Sequence, residues 1–264
     1  MPTEPVETAK SELQAPPADL GRLVAIMRRL RDPRRGCEWD KVQTFDSIAP
    51  YTIEEAYEVA DAIARGDMDA LADELGDLQL QVVFHAQMAE EAGHFVLKDV
   101  LERVCDKLER RHPHIFGDAE HGGHHLWEAI KAAERAAGND QSALAGVALA
   151  LPALERAAKL QRRAARTGFD WPDAGGPRAK IDEELAELEA ETDHQRMLEE
   201  MGDLLFAVVN LSRHLNIKPE TALREANRKF EARFRTIERA PGFESMTLDE
   251  MEKLWVRAKQ DQSD

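Results

Sequence analysis

The chain has 264 residues, 43% of them hydrophobic and 33% charged, with 51 acidic against 35 basic side chains and a net charge of -16. That length holds two domains of ordinary size, each with enough apolar residues for a core. So acidic a surface repels nucleic-acid polymers and anionic membranes, which are excluded as partners, but it admits a nucleotide whose charge is masked by a divalent metal.

Residues 1–19 are acidic and Pro-containing, the opposite of a secretory signal, and read as a disordered tail. Two cysteines, Cys37 and Cys105, make no disulfide framework, which fits a reducing compartment. The longest apolar stretch, residues 143–154, contains Pro152 and is too short to span a bilayer, so a cytoplasmic location is expected. Helical periodicity dominates and strand alternation is nearly absent. From Thr52, the positions Ile53, Ala56, Tyr57, Ala60 and Ile63 form one helical stripe, and Gly66 ends it. A long helix is predicted over 69–91 with Gly93 as its stop, and a third over 97–111, which Pro113 closes. A loop rich in Gly and His follows over 116–125, then a shorter helix over 127–137. Gly138-Asn139-Asp140-Gln141-Ser142 is the predicted domain boundary. Beyond it, helices are predicted over 143–166 (perturbed by Pro152), 178–191, 197–215, 219–239 and 248–260, with a glycine-containing loop over 167–177. The expected fold class is all-α: two tandem helical-bundle modules, residues 20–138 and 139–264.

One carboxylate pattern is written twice. Glu54-Glu55-x-x-Glu58 precedes Glu74-x-x-Asp77, and Glu183-Glu184-x-x-Glu187 precedes Glu200-x-x-Asp203. Lys107 and Arg111 reappear as Lys229 and Arg233, and Leu126-Trp127-x-x-x-Lys131 as Leu254-Trp255-x-x-x-Lys259. The spacing from first copy to second stays between 122 and 129 residues. Acidic residues three apart share a helix face, so two adjacent helices aim four carboxylates at one point. All-oxygen ligands favour a hard cation, Mg²⁺ with Mn²⁺ as a substitute, and Mg²⁺ shares its coordination with substrate phosphates. Gly76 and Gly202 stand mid-helix before the aspartates, at a cost of about 1 kcal/mol relative to alanine, and are expected to admit a neighbouring helix or a ligand. Lys229 and Arg233, and likewise Lys107 and Arg111, are one turn apart and suit phosphate oxygens. Trp255 and Trp127 suit either base stacking or a core.

Against these stand blander readings. Acidic helix runs are commonly solvated faces, and Thr52-x-x-Glu55 also fits a capping box that would make Glu55 a cap. Glu91-x-x-His94 and Glu191-x-x-His194 match a di-iron motif but fall at predicted helix ends and out of step with the repeat. The histidines His112, His114, His121, His124 and His125 have no cysteine partner and read as surface residues.

Several motifs together resemble the MazG family of nucleoside triphosphate pyrophosphohydrolases. They are Gly36-Cys37-Glu38-Trp39-Asp40, residues 51–58, Glu74-Leu75-Gly76-Asp77, residues 107–114, Gly168-Phe169-Asp170-Trp171 and residues 200–206. The resemblance implies an all-α homodimer that hydrolyses nucleoside triphosphates, with broad tolerance of base and sugar, to monophosphate and pyrophosphate with Mg²⁺. It implies metal ligation by Glu184, Glu187, Glu200 and Asp203. It also implies nucleotide contacts from Lys180, Lys229, Arg233 and Trp255, with Arg196 where the family commonly has lysine. Glu183 is the expected acceptor of the attacking water's proton. The resemblance favours the second half as the main catalyst. The first half keeps Glu55, Glu58, Glu74 and Asp77 as a second possible metal set. The alternative is a non-hydrolytic nucleotide-sensing or adaptor dimer, which binds nucleotide without forming pyrophosphate.

Overall fold

The computed structural model describes residues 19–117, 130–131, 133–134 and 140–261, and among them only helices and turns occur. The predicted helix at 127–137, with Trp127, and the histidines His121, His124 and His125 lie largely or wholly outside the described residues. The chain separates into two compact units, Met1–Glu128 and Ala129–Asp264.

Unit 1 contains α1 (Leu20–Leu30), α2 (Phe45–Arg65), α3 (Met68–Glu91), α4 (Leu97–Arg111) and the single turn α5 (Pro113–Phe116). Helix α2 starts seven residues before the Thr52 at which the apolar stripe begins, because Thr44 and Ser47 cap each other's backbone N–H groups. Thr52 therefore lies inside the helix and caps nothing; its hydroxyl lies 3.4 Å from the Ile48 carbonyl and 3.0 Å from His85 Nε2. This frees Glu55 from the capping role. Pro113 closes α4 as expected and opens α5 at its first turn, where its missing N–H costs nothing. Helices α2 and α3 form the main antiparallel pair, and α1 covers α3. Between them Met27, Ile48, Val83, Phe84 and Met88 make the core.

Unit 2 contains α6 (Ala153–Ala165), α7 (Gly175–Ala190), α8 (His194–His214), α9 (Pro219–Ile237) and α10 (Leu248–Asp261). The helix predicted over 143–166 begins only after Pro152, which supplies an extended N-cap, so residues 143–151 are turns instead. Helices α7 and α8 pair as α2 and α3 do. Asp193 caps α8 through bonds from the Gln195 and Arg196 N–H groups, which makes the α7–α8 connection tight. Helix α6 lies against both α8 and α9. No described helix is long and apolar enough to cross a membrane.

Candidate metal and nucleotide site

In each unit the paired helices bring the predicted carboxylates together. Glu184, Glu187 and Glu200 each place a carboxylate oxygen within 4.8 Å of the other two, and so do Glu55, Glu58 and Glu74. A clustered, all-oxygen donor set of this reach fits a hard divalent cation in both units. Asp203 is not in the tight set, but its charge acts on Glu200 and its side chain lines the adjoining cavity. Asp77 likewise acts on both Glu55 and Glu74.

The electrostatics follow from that crowding. Desolvation first, then the charges of Glu187, Glu184 and Asp203, hold Glu200 above the ordinary carboxylate range. Glu74 is raised by desolvation and by Glu58 and Asp77, and Glu55 by desolvation and by Asp77 and Glu58. Each protein carboxyl here gains from a proton or from a cation. In unit 2 a cation of the chain's own contributes: Lys180 donates to Glu183 at 2.8 Å and pairs with the buried Glu184 at 2.5 Å. These two hydrogen bonds raise the Lys180 pKa, so the ammonium stays charged. Glu183 is thus held by Lys180, one helical position from the cluster.

Beside the unit 2 carboxylates lies a cavity of about 630 Å³ between α6, α7, α8 and the loop preceding α7. Lys180, Glu184 and Asp203 line one part of it, and Gln161, Trp171 and Asn210 are among the residues lining the rest. Its volume is that of a small-molecule site. Arg213, another lining residue, donates through both terminal nitrogens to the two Asp170 oxygens and also to Asn210 Oδ1. The Arg213 hydrogen bonds are the main cause of the lowered Asp170 pKa, with His214 adding to them. This buttress fixes the wall that carries Trp171. Sequence reasoning had Asp170 and Trp171 only as part of a motif and missed Gln161, Asn210 and Arg213.

Unit 1 has the carboxylates without this surround. Aligned on Asp77 and Asp203, the position of Asn210 is taken by Phe84, which is 3% exposed and sits in the core beside Met27 and Ile48. Arg213 corresponds to Gln87, and, aligned on Glu54 and Glu183, Lys180 corresponds to Tyr51.

The other predicted contacts lie apart from this cavity. Arg196 stands at the start of α8 and pairs with Glu191 at 3.6 Å. Lys229 and Arg233 lie on α9, and Trp255 on α10; none of the three lines the cavity. Trp255 packs on Phe230, with ring centroids 5.2 Å apart, and the Arg233 guanidinium sits 5.8 Å over the Trp255 ring. Lys107 and Arg111 lie on α4 in unit 1. A Cβ added at Gly76 or Gly202 would meet nothing within 4 Å, so no neighbouring helix of the described residues demands either glycine. The di-iron alternative gains nothing: Glu91 is bound by Arg31, and Glu191 accepts backbone N–H groups from Thr192 and Asp193.

Known sequences resemble most of the chain. Residues 43–116 and 181–237 match the family model described as MazG nucleotide pyrophosphohydrolase domain. The chain is 52% identical over 259 residues to the nucleoside triphosphate pyrophosphohydrolase of Escherichia coli (strain K12), covering 93% of this chain and 98% of that protein. It is 48% identical over 243 residues to the nucleoside triphosphate pyrophosphohydrolase/pyrophosphatase MazG of Thermotoga maritima, covering 90% and 94% respectively. A nucleoside triphosphate pyrophosphohydrolase of Mycobacterium tuberculosis is 38% identical over 163 residues, 60% of this chain and 49% of that one.

Proposed function

The chain belongs to the MazG nucleotide pyrophosphohydrolase family, and from that membership we propose that it hydrolyses nucleoside triphosphates of broad base and sugar range to nucleoside monophosphate and pyrophosphate, with Mg²⁺ as cofactor and unit 2 as the main catalyst. The observation that carries the reading is the convergence of Glu184, Glu187 and Glu200 beside a nucleotide-sized cavity that also reaches Lys180 and Asp203.

Glu184, Glu187, Glu200 and Asp203 would hold the metal, with Mn²⁺ as a substitute. Bound there, it supplies Lewis acidity to the triphosphate and to the attacking water. Glu183 lies outside the close ligand set and is the group that accepts the water's proton as a phosphoanhydride P–O bond breaks. Lys180, tethered between Glu183 and Glu184, is positioned to turn one of its three donors onto a phosphate oxygen. Lys229, Arg233 and Arg196, outside the cavity lining, are carried as phosphate contacts by the family resemblance alone, and Trp255 acts through the Arg233 guanidinium that lies over its ring. Unit 1 is a sister module whose carboxylates bind metal while Phe84 fills the place of the nucleotide wall.

The reading includes a homodimer. On α8, Leu198, Met201, Leu205 and Val208 follow helical spacing and are all exposed, a stripe that a second copy would cover. The chain's helices and charge favour a cytoplasmic protein that engages neither membrane nor nucleic-acid polymer.

The deciding experiment is product analysis with Mg²⁺ across the common triphosphates. Equal amounts of monophosphate and pyrophosphate are expected. Nucleotide binding with no pyrophosphate would leave the sensing or adaptor reading.

A further inference from the structure

Gln161 is the feature of the cavity that the reaction leaves unexplained. It projects from α6, is 6% exposed, and lines the cavity whose other part is lined by Glu184 and Asp203. Its Nε2 donates to the Phe206 carbonyl at 2.8 Å. That bond fixes which way round the amide sits, because a carbonyl cannot accept from Oε1. The Oε1 atom is then on the opposite side of the amide, buried, with no hydrogen-bond partner. A buried acceptor left unmade is costly and is uncommon in native folds, so it calls for a partner that arrives from elsewhere.

We propose that this cavity seats the nucleobase and that Gln161 Oε1 accepts a hydrogen bond from a base N–H. The proposal rests on the triphosphate-hydrolysing reading of the carboxylate cluster and adds the group that grips the other end of the substrate. Adenine and cytosine offer an exocyclic amino group, guanine an amino and a ring N–H, and uracil and thymine a ring N–H. A lone acceptor therefore meets a donor on every common base and selects for the presence of an N–H, not for one base. Trp171, on the cavity wall, gives an aromatic surface of the kind that bases stack on without discrimination. The Asp170–Arg213–Asn210 hydrogen bonds hold that wall in place.

The test compares ATP with N6,N6-dimethyl-ATP, whose base carries no N–H, on the full chain with Mg²⁺. The wild-type chain is expected to prefer ATP in kcat/KM by about tenfold, the effect of one buried hydrogen bond. Gln161→Met, which keeps the length and removes both amide groups, is expected to bring that preference close to one. Gln81→Met removes a second buried glutamine acceptor without a partner among the described residues, in unit 1 and not among the residues that line the cavity, and is expected to keep the tenfold preference. The wild-type comparison does not depend on a variant folding, and thermal melts establish whether the two variants do. Pyrophosphate release with equal kcat/KM for the two substrates in the wild-type chain overturns the Gln161 assignment and leaves the hydrolase reading standing. A preference that survives in Gln161→Met also overturns it. Failure of the wild-type chain to release pyrophosphate from either substrate overturns the hydrolase reading itself.

Discussion

A Cβ at Gly176 would lie 2.2 Å from Cδ1 of Trp171, so the indole rests directly on backbone that only glycine leaves bare. The contact ties the first turn of α7 to the loop that closes the cavity. Gly176→Ala must therefore displace Trp171. Overpacking of this kind costs about 1–3 kcal/mol, and the partly exposed indole can swing outward, which favours the lower end. The expected result is a small loss in Tm with a several-fold rise in KM for triphosphates and a smaller change in kcat. Steady-state kinetics and a thermal melt check it; an unchanged KM would show that Trp171 does not shape the substrate site.

The two carboxylate clusters differ in their surroundings, and substitution separates them. Glu184→Ala removes the buried member of the unit 2 set and releases Lys180 from one of its partners. It is expected to lower pyrophosphate release by more than about a hundredfold, since the site loses charge stabilisation where the reaction needs it. Glu55→Ala, the matching change in unit 1, is expected to leave most of the turnover. Circular dichroism should remain helical for both. Full activity in Glu184→Ala with loss in Glu55→Ala would reverse the division of labour between the units.

That asymmetry was written in the sequence, at positions where the repeat breaks. Periodicity gave the helices because apolar side chains on α2, α3, α7 and α8 recur at helical spacing, and the duplicated acids gave the clusters because residues three apart on a helix must share a face. The start of α2 escaped because Thr44 and Ser47 cap it upstream of the apolar stripe and Pro50 sits inside it. The cavity wall escaped for a different reason: Asp170 and Arg213 meet across 43 residues of chain, and no local spacing reports such a contact. The available signal was the mismatch between copies, with Tyr51 against Lys180 and Phe84 against Asn210. Where the two halves agree they build the same helix pair; where they disagree, one half fills its interior and the other keeps a cavity.

Crowding of the carboxylates is expected to make stability depend on pH, with a bound cation opposing that dependence. Glu200 and Glu74 titrate above their ordinary value, chiefly through desolvation and then through neighbouring acids. For a raised group the stability contribution is complete below the unfolded-state pKa, about 4.3 for glutamate, and is lost as pH rises through the folded-state value. Chelated protein is thus expected to lose Tm as pH rises from about 4.3 into the raised range. A cation requires the deprotonated ligands, so the Tm gain on adding Mg²⁺ is expected to be larger at about pH 8 than at about pH 5. Melts with chelator and with saturating Mg²⁺ at several pH values measure both limbs. A metal-induced gain that is flat with pH would detach the cation from these carboxylates.

The exposed stripe on α8 sets the final expectation. Leu205 is 50% exposed, with Leu198, Met201 and Val208 one turn or two turns away on the same face. Four apolar side chains in a row on the helix that carries Glu200 and Asp203 would gain from a second copy the burial that their own unit does not give them. Leu205→Glu places a charge in the middle of that row while disturbing little of the unit's own core. It is expected to halve the mass measured by light scattering at working concentration and to keep the helical spectrum. Because the stripe shares α8 with Glu200 and Asp203, activity is expected to fall together with the dimer fraction and to recover in part as protein concentration is raised. A variant that remains dimeric would place the interface on another face, and a wild-type chain that is monomeric throughout would remove the dimer from the proposal.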